Sequence, residues 1–320
     1  MTQQRETIRL GVATVAAATL VATLMATVLA TMFAGCGGDL PAASRLERTR
    51  VLGARVQVAD DPGRAEARAG EAAVVEWLLA GPRAPGSLAW SFSMCTAING
   101  ACEGAPTMTG QGTTPPIVVP FLMPAAIDDV RRPMLLGAIC EGGAPAVDSQ
   151  GLPICGAGTT SANPARFQLP RTTADQAANR HPQLADDAIE FDGVAWTARA
   201  IGDAGIPCDG SAGMPLVAPG DTEHRLRVVT DGNDRDSFTP DGANVPQLEE
   251  LQLSSFATEG EVLNQYATVD AMQTDLTGKW TAPAAKAVPA AGLTVNFHFV
   301  LRDGRGGLDW TDRALCVRLP

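Results

Sequence analysis

An all-β protein is what this sequence predicts: two tandem β-sandwiches following an N-terminal signal helix. Three observations point there. Residues 10–34 contain no charged side chain, and Arg5 and Arg9 precede them with Glu6 in between. After residue 45 no stretch keeps the apolar period of an amphipathic helix. Short runs rich in β-branched and aromatic residues recur instead, separated by turn residues drawn from 33 Gly and 23 Pro.

The leader comes first in chain order. An uncharged run of this length is long enough to span a bilayer, and a basic flank followed by an apolar run is also the plan of a secretory signal. The end of the run separates the two. Phe33-Ala34-Gly35-Cys36 resembles the bacterial lipobox, in which a large apolar residue, two small residues and a Cys mark the cleavage site. The thiol takes diacylglycerol in thioether linkage, and the small residues let a peptidase hold the backbone extended. Phe33 stands where Leu is commoner in that family. The resemblance implies a signal peptide over 1–35, lipidation at Cys36 and a flexible tether over 36–45. The membrane is then a partner, reached through lipid at about 0.8 kcal/mol per buried methylene. Gly37, where Asp would signal inner-membrane retention, implies the outer membrane, facing the periplasm or the cell surface. The alternative is an uncleaved transmembrane helix with an incidental Cys.

The first sandwich is expected over 46–172. Its candidate strands are 51–58, 72–79 with Trp77, 87–94, 116–122, 134–140 and 167–169. In 87–94, Leu88, Trp90, Phe92 and Met94 alternate with small or polar residues, the period of a half-buried strand. A polar, unpatterned break follows at 170–184. The second sandwich is expected over 173–320, with strands at 189–197, 223–230, 251–257, 278–282, 293–302 and 314–319. This spacing suits a sandwich better than alternating strands and helices.

In the second half, Trp280-Thr281-Ala282-Pro283 is followed by the apolar run 293–300 and then by Asp303-Gly304-Arg305-Gly306-Gly307. That order resembles the closing half of bacterial immunoglobulin-like and PKD-like modules, where W-x-A-P precedes a strand ending in D-G-R-G-G at the last hairpin. Residues 254–260 resemble the central strand and turn of the same module. The resemblance covers about residues 220–320 and is weaker over 46–172, where Trp90 and Phe92 carry it. It implies two immunoglobulin-like sandwiches that serve as structural and binding scaffolds, without a particular ligand.

Six cysteines remain besides Cys36: Cys95, Cys102, Cys140, Cys155, Cys208 and Cys316. An even number in an exported chain reads as disulfides, for which fifteen pairings exist. Proximity in sequence favours Cys95–Cys102 and Cys140–Cys155, leaving Cys208–Cys316 to staple the second sandwich. Without a C-x-x-C pair, no zinc site is expected, and no cofactor motif is present.

Chemistry is sparse. A formal charge of −11, and a densest basic stretch interrupted by Glu47, exclude a nucleic-acid binder. His298 alternates with Phe297 and Phe299 and is expected to face solvent or a strand edge. His181 falls in the break, and His224 beside Glu223 at a strand start. No G-x-S-x-G elbow occurs, and Ser211 is only a Gly-flanked loop residue. Asp231, Asp234 and Asp236 fail the EF-hand pattern and read as a solvated hairpin, with a looser calcium site as the alternative. Asp60, Asp61, Asp186 and Asp187 read as surface turns. The five Trp read as sandwich core, with a carbohydrate platform as the alternative. The expectation is a non-catalytic envelope lipoprotein for adhesion, scaffolding or binding, with an unknown protein or glycan partner. A calcium-dependent polysaccharide-binding module and an envelope hydrolase are the alternatives.

Overall fold

Alternation makes the first sheet. In β1 (Arg50–Val58), Leu52, Ala54, Val56 and Val58 are buried and their neighbours are not. The structure is a computed structural model describing residues 42–83, 87–99, 101–125, 131–170, 177–197, 208, 214–231, 234–240, 244–269 and 275–320. The expected signal peptide 1–35 and Cys36 therefore lie outside the described residues.

The first sandwich continues with β2 (Ala72–Ala80), β3 (Leu88–Ile98), β4 (Ala101–Gly112), β5 (Ile117–Leu122), β6 (Arg131–Glu141), β7 (Pro145–Val147), β8 (Pro153–Cys155) and β9 (Ser161–Gln168). One sheet runs β1-β2-β5 and the other β4-β3-β6-β9, all antiparallel. Between them lie Val56, Val75, Trp77, Phe92, Ile117, Leu135 and Ile139. Fully burying one such side chain stabilises the fold by about 1.5–3 kcal/mol. Trp77 and Phe92 pack with ring centroids 4.8 Å apart. Gly137 sits across from Phe92, and a Cβ there would lie 2.2 Å from the ring, so only glycine fits.

The short β7–β8 hairpin folds back on β3 and β6, and Cys140–Cys155 fastens it. Ser91, Ser93 and Ala138, on the face of the sheet away from the core, are all buried.

The second sandwich is built from β10 (Ile189–Phe191), β11 (Val194–Ala195), β12 (Leu216–Val217), β13 (Glu223–Val229), β14 (Ser237–Phe238), β15 (Gln247–Leu248), β16 (Leu251–Ala257), β17 (Glu261–Leu263), β18 (Tyr266–Val269), β19 (Asp275–Thr281), β20 (Leu293–Arg302) and β21 (Leu308–Val317). Its sheets run β11-β10-β13-β19-β17 and β12-β21-β20-β16-β18, with β12 parallel to β21. The small hairpin β14–β15 joins neither sheet, and Arg305 stacks over its Phe238 at 4.6 Å. The orders β10-β13-β19-β17 and β16-β20-β21 follow the A-B-E-D and C-F-G plan of immunoglobulin folds. The core is aromatic: Phe297 lies 5.1 Å from Trp196 and 5.3 Å from Trp280, and Trp280 is fully buried.

Unlike an ordinary sandwich strand, β20 is buried on both faces from Leu293 to Leu301. Val295, Phe297, Phe299 and Leu301 face the core. On the other face, Val300 joins a second apolar cluster with Leu46, Leu52, Leu78, Phe256 and Leu308, drawn from both sandwiches. Ser44 and Arg45, placed in the tether by the sequence, are held against the second sandwich. Ser44 Oγ donates to Val262 O, and Arg45 forms a parallel bridge with Ala257.

Candidate functional site: the polar joint between the sandwiches

The segment 177–184, expected as a polar break, is threaded between the two sandwiches. Arg180 makes an antiparallel bridge with Arg64 of the first sandwich. Ala65 N donates to Asn179 O at 2.9 Å, and His181 N to Gly63 O at 2.9 Å. Asn179 is fully buried and His181 nearly so.

Three buried groups organise the joint. Asp303 opens the Asp303-Gly304-Arg305-Gly306-Gly307 turn, and its carboxylate accepts from Arg305 N at 2.7 Å and Gly307 N at 2.9 Å. The turn needs glycine where φ is positive, at Gly304 and Gly306. Asn179 Nδ2 also donates to Asp303, at 2.7 Å, and Asn179 N reaches Glu66 Oε2 at 3.4 Å. Glu249 accepts from Arg305 Nη1 at 2.6 Å and from Asp236 N at 3.0 Å. Burial pushes its carboxyl up to about 7, against the pull of the bond from Asp236 and of Arg305.

His181 bridges the sandwiches directly. Leu308 N–H, at the start of β21, donates to Nδ1 at 3.0 Å. With Nδ1 accepting, the ring proton sits on Nε2, which donates to Val56 O of β1 at 2.6 Å. Burial holds the ring below the ordinary imidazole range. Beside it, Arg55 pairs with Glu76 and with Asp309 of the second sandwich, and stacks 4.0 Å above Trp310.

The structure places the other candidates as follows. Disulfides join Cys95 to Cys102, Cys140 to Cys155 and Cys208 to Cys316. His298 is neither exposed nor at a strand edge: β20 is interior to its sheet, and His298 Nδ1 lies 2.7 Å from Asp312. That expectation failed because the same face of β20 packs, at Val300, against Leu46 and against Leu52 and Leu78 of the first sandwich. His224 lies 2.8 Å from Asp192 and stacks on Phe191. Ser211 lies outside the described residues. Asp231 and Asp234 bond to each other through backbone amides, and Asp236 accepts from Arg180 N at 2.9 Å. Part of the expected solvated hairpin is therefore drawn into the joint. Among the described residues no cluster of three or more His, Cys, Asp or Glu is placed to hold a metal. Asp61 pairs with Arg180 at 3.2 Å, and Asp186 and Asp187 are exposed. Trp77, Trp90, Trp196 and Trp280 are buried.

Sequence reasoning passed over Asn179, Glu249 and Arg313. Arg313 is fully buried and donates to the carbonyls of Trp196 and Asp186, pinning the entry to the second sandwich. None of the three stands in a motif, and each acts through contacts far away in sequence. Among the described residues no helix is long and apolar enough to cross a membrane.

No family model and no curated relative matches the chain. Among solved structures it is similar to the Enterococcus faecalis MSCRAMM ACE, described as binding its ligands by the collagen Hug Model. The match has 9% identity and covers 88% of this chain and 98% of that one, at a TM-score of 0.16. A likeness that slight carries no argument about what this chain binds.

Proposed function

We propose that this chain is a non-catalytic binding scaffold of the bacterial cell envelope, held at the outer membrane by lipid on Cys36. The observation that carries the scaffold reading is one face of the first sandwich. Two of the three disulfides lie there, closing the β3–β4 turn and fastening the β7–β8 hairpin. Residues 104–112 of β4 hold no charged side chain, and 142–165 hold only Asp148, whose carboxylate accepts from Gln150 N and Leu152 N of its own turn. On a chain of net charge −11, these two segments present a partner with almost no charge to desolvate. Loops stapled in advance lose little entropy on binding.

A protein partner is favoured over a glycan. Sugar platforms use exposed aromatic rings, whereas four of the five Trp are buried and Trp310 lies under Arg55. Membrane attachment rests on the Phe33-Ala34-Gly35-Cys36 sequence.

Intact mass of unreduced protein from the native membrane fraction tests the anchor. The expected mass is residues 36–320 plus acyl chains, less two hydrogens per disulfide. A mass retaining residues 1–35 overturns the lipid anchor. Cys36→Ser is expected to move the protein to the soluble fraction.

A further inference from the structure

We infer that His181 is a proton-sensitive latch, closing the joint between the two sandwiches only while its ring is neutral. The ring is used on both sides at once. Nε2–H donates to Val56 O in the first sandwich, and Nδ1 accepts from Leu308 N–H in the second. Both partners are backbone groups within strands, so neither can turn away. A second proton would go to Nδ1 and set two donors against each other at a contact of 3.0 Å. The Leu308 amide would lose its acceptor and be left a buried donor without a partner.

The charged surroundings are mixed. From β1, Arg55 opposes protonation; from the turn and β21, Asp303 and Asp309 favour it. Both carboxylates are already engaged: Asp303 by Asn179, Arg305 N and Gly307 N, and Asp309 by Arg55 and Leu184 N. The loop 61–67 of the first sandwich contributes Arg64, paired with Glu71, and Glu66. Arg180, on the latch's own segment, is paired with Asp61. Glu249, on the far side of the turn, is paired with Arg305. Burial is the largest influence on the ring and works against the charged form.

The sign follows. The folded ring takes a proton less readily than the unfolded one, so closure is complete above the ordinary imidazole range. It weakens as pH falls below that range. The latch is thus closed at neutral pH and loosens in acid, by a route separate from whatever the first sandwich binds.

Hydrogen exchange on the full chain at pH 7.5 and 5.5, corrected for intrinsic rates, is the test. Protection at Leu308, Ala65 and His181 is expected to fall about tenfold at the lower pH relative to amides of β20, the loss set by one proton taken below the usual His range. His181→Gln, which cannot gain a proton, is expected to show no such differential. A fall of the same size in His181→Gln, or no fall in the wild type, overturns the latch. Should the variant not fold, the ring nitrogen resonances of the wild type decide. An unprotonated Nδ1 at pH 7.5 that gains its proton as the Leu308 amide loses protection supports the latch. A protonated Nδ1 at pH 7.5 overturns it.

Discussion

The two sandwiches solve one packing problem with different chemistry. The first, a three-stranded sheet against a four-stranded one, carries two disulfides that close loops of 7 and 15 residues. The second packs two five-stranded sheets over an aromatic core and carries one disulfide across 108 residues. Cys208–Cys316 ties the approach to the sheets to the last strand, beside the parallel pair β12–β21. The contrast separates two uses of a disulfide: short loops fix a surface, whereas a long loop fixes a fold.

Removing the long bridge is the sharpest way to break that contrast. Cys208→Ala with Cys316→Ala is expected to cost about 4–5 kcal/mol, against about 2–3 kcal/mol for the Cys95–Cys102 pair, from loop-closure entropy. Urea denaturation of the two double variants measures both. Equal costs would show that the short bridge also holds the fold. Packing comes next: Gly137→Ala is expected to destabilise by about 1–3 kcal/mol, since the added methyl meets Phe92. The same denaturation series reads it, and an unchanged midpoint would mean the first core yields where a well-packed one should not.

A smaller effect probes the joint. Glu249 is buried, and its folded carboxyl is pushed up to about 7. Between its ordinary value and about 7 the folded state keeps a proton that the unfolded state has released. Glu249 therefore favours folding less as pH rises through that window and is level outside it. Glu249→Gln removes the trend, so its midpoint should gain on the wild type across the window. His181 acts in the opposite sense in acid, which makes the difference between the two proteins the quantity to read. A constant difference would place the Glu249 carboxyl at its ordinary value. Smallest of all, Ile154→Ser on the exposed β7–β8 hairpin should change stability by no more than about 0.5 kcal/mol. A larger loss would mean the hairpin supports the core and not only the surface.

Much of the fold was legible. Strands β1, β2, β5, β16 and β20 fall within a residue of the runs read from the sequence, because their β-branched and aromatic residues meet a core. The strand β4, AlaCysGluGlyAlaProThrMetThrGlyGlnGly in sequence, was missed: it lies at a sheet edge and buries none of its side chains fully, so no apolar pattern marks it. The start of β21 was missed for a related reason. Asp309, Thr311 and Asp312 interrupt the apolar pattern because Asp309 and Asp312 serve Arg55 and His298.

The joint was the least legible part. Its segment reads as a polar linker, since Asn, Arg, His and Gln are the residues of an exposed loop. The burial of Asn179 and His181 depends on acceptors supplied from afar: Val56 O from β1, Asp303 from the last turn, Glu66 from the first sandwich. A one-dimensional pattern reports the local period of burial and carries no trace of such pairings. The cysteines were easier because spacing alone narrowed their partners.

The grip of Ser44–Leu46 on the second sandwich gives the molecule a mechanical order that differs from its chain order. Leu46 N donates to Ala257 O, Ala257 N to Ser44 O, and Ser44 Oγ to Val262 O. Tension applied to the chain from its N-terminal side is therefore taken up first by β16 and β17, before it reaches β1. The sandwich nearer in sequence to that end is shielded from such a load, and the one encoded last takes it.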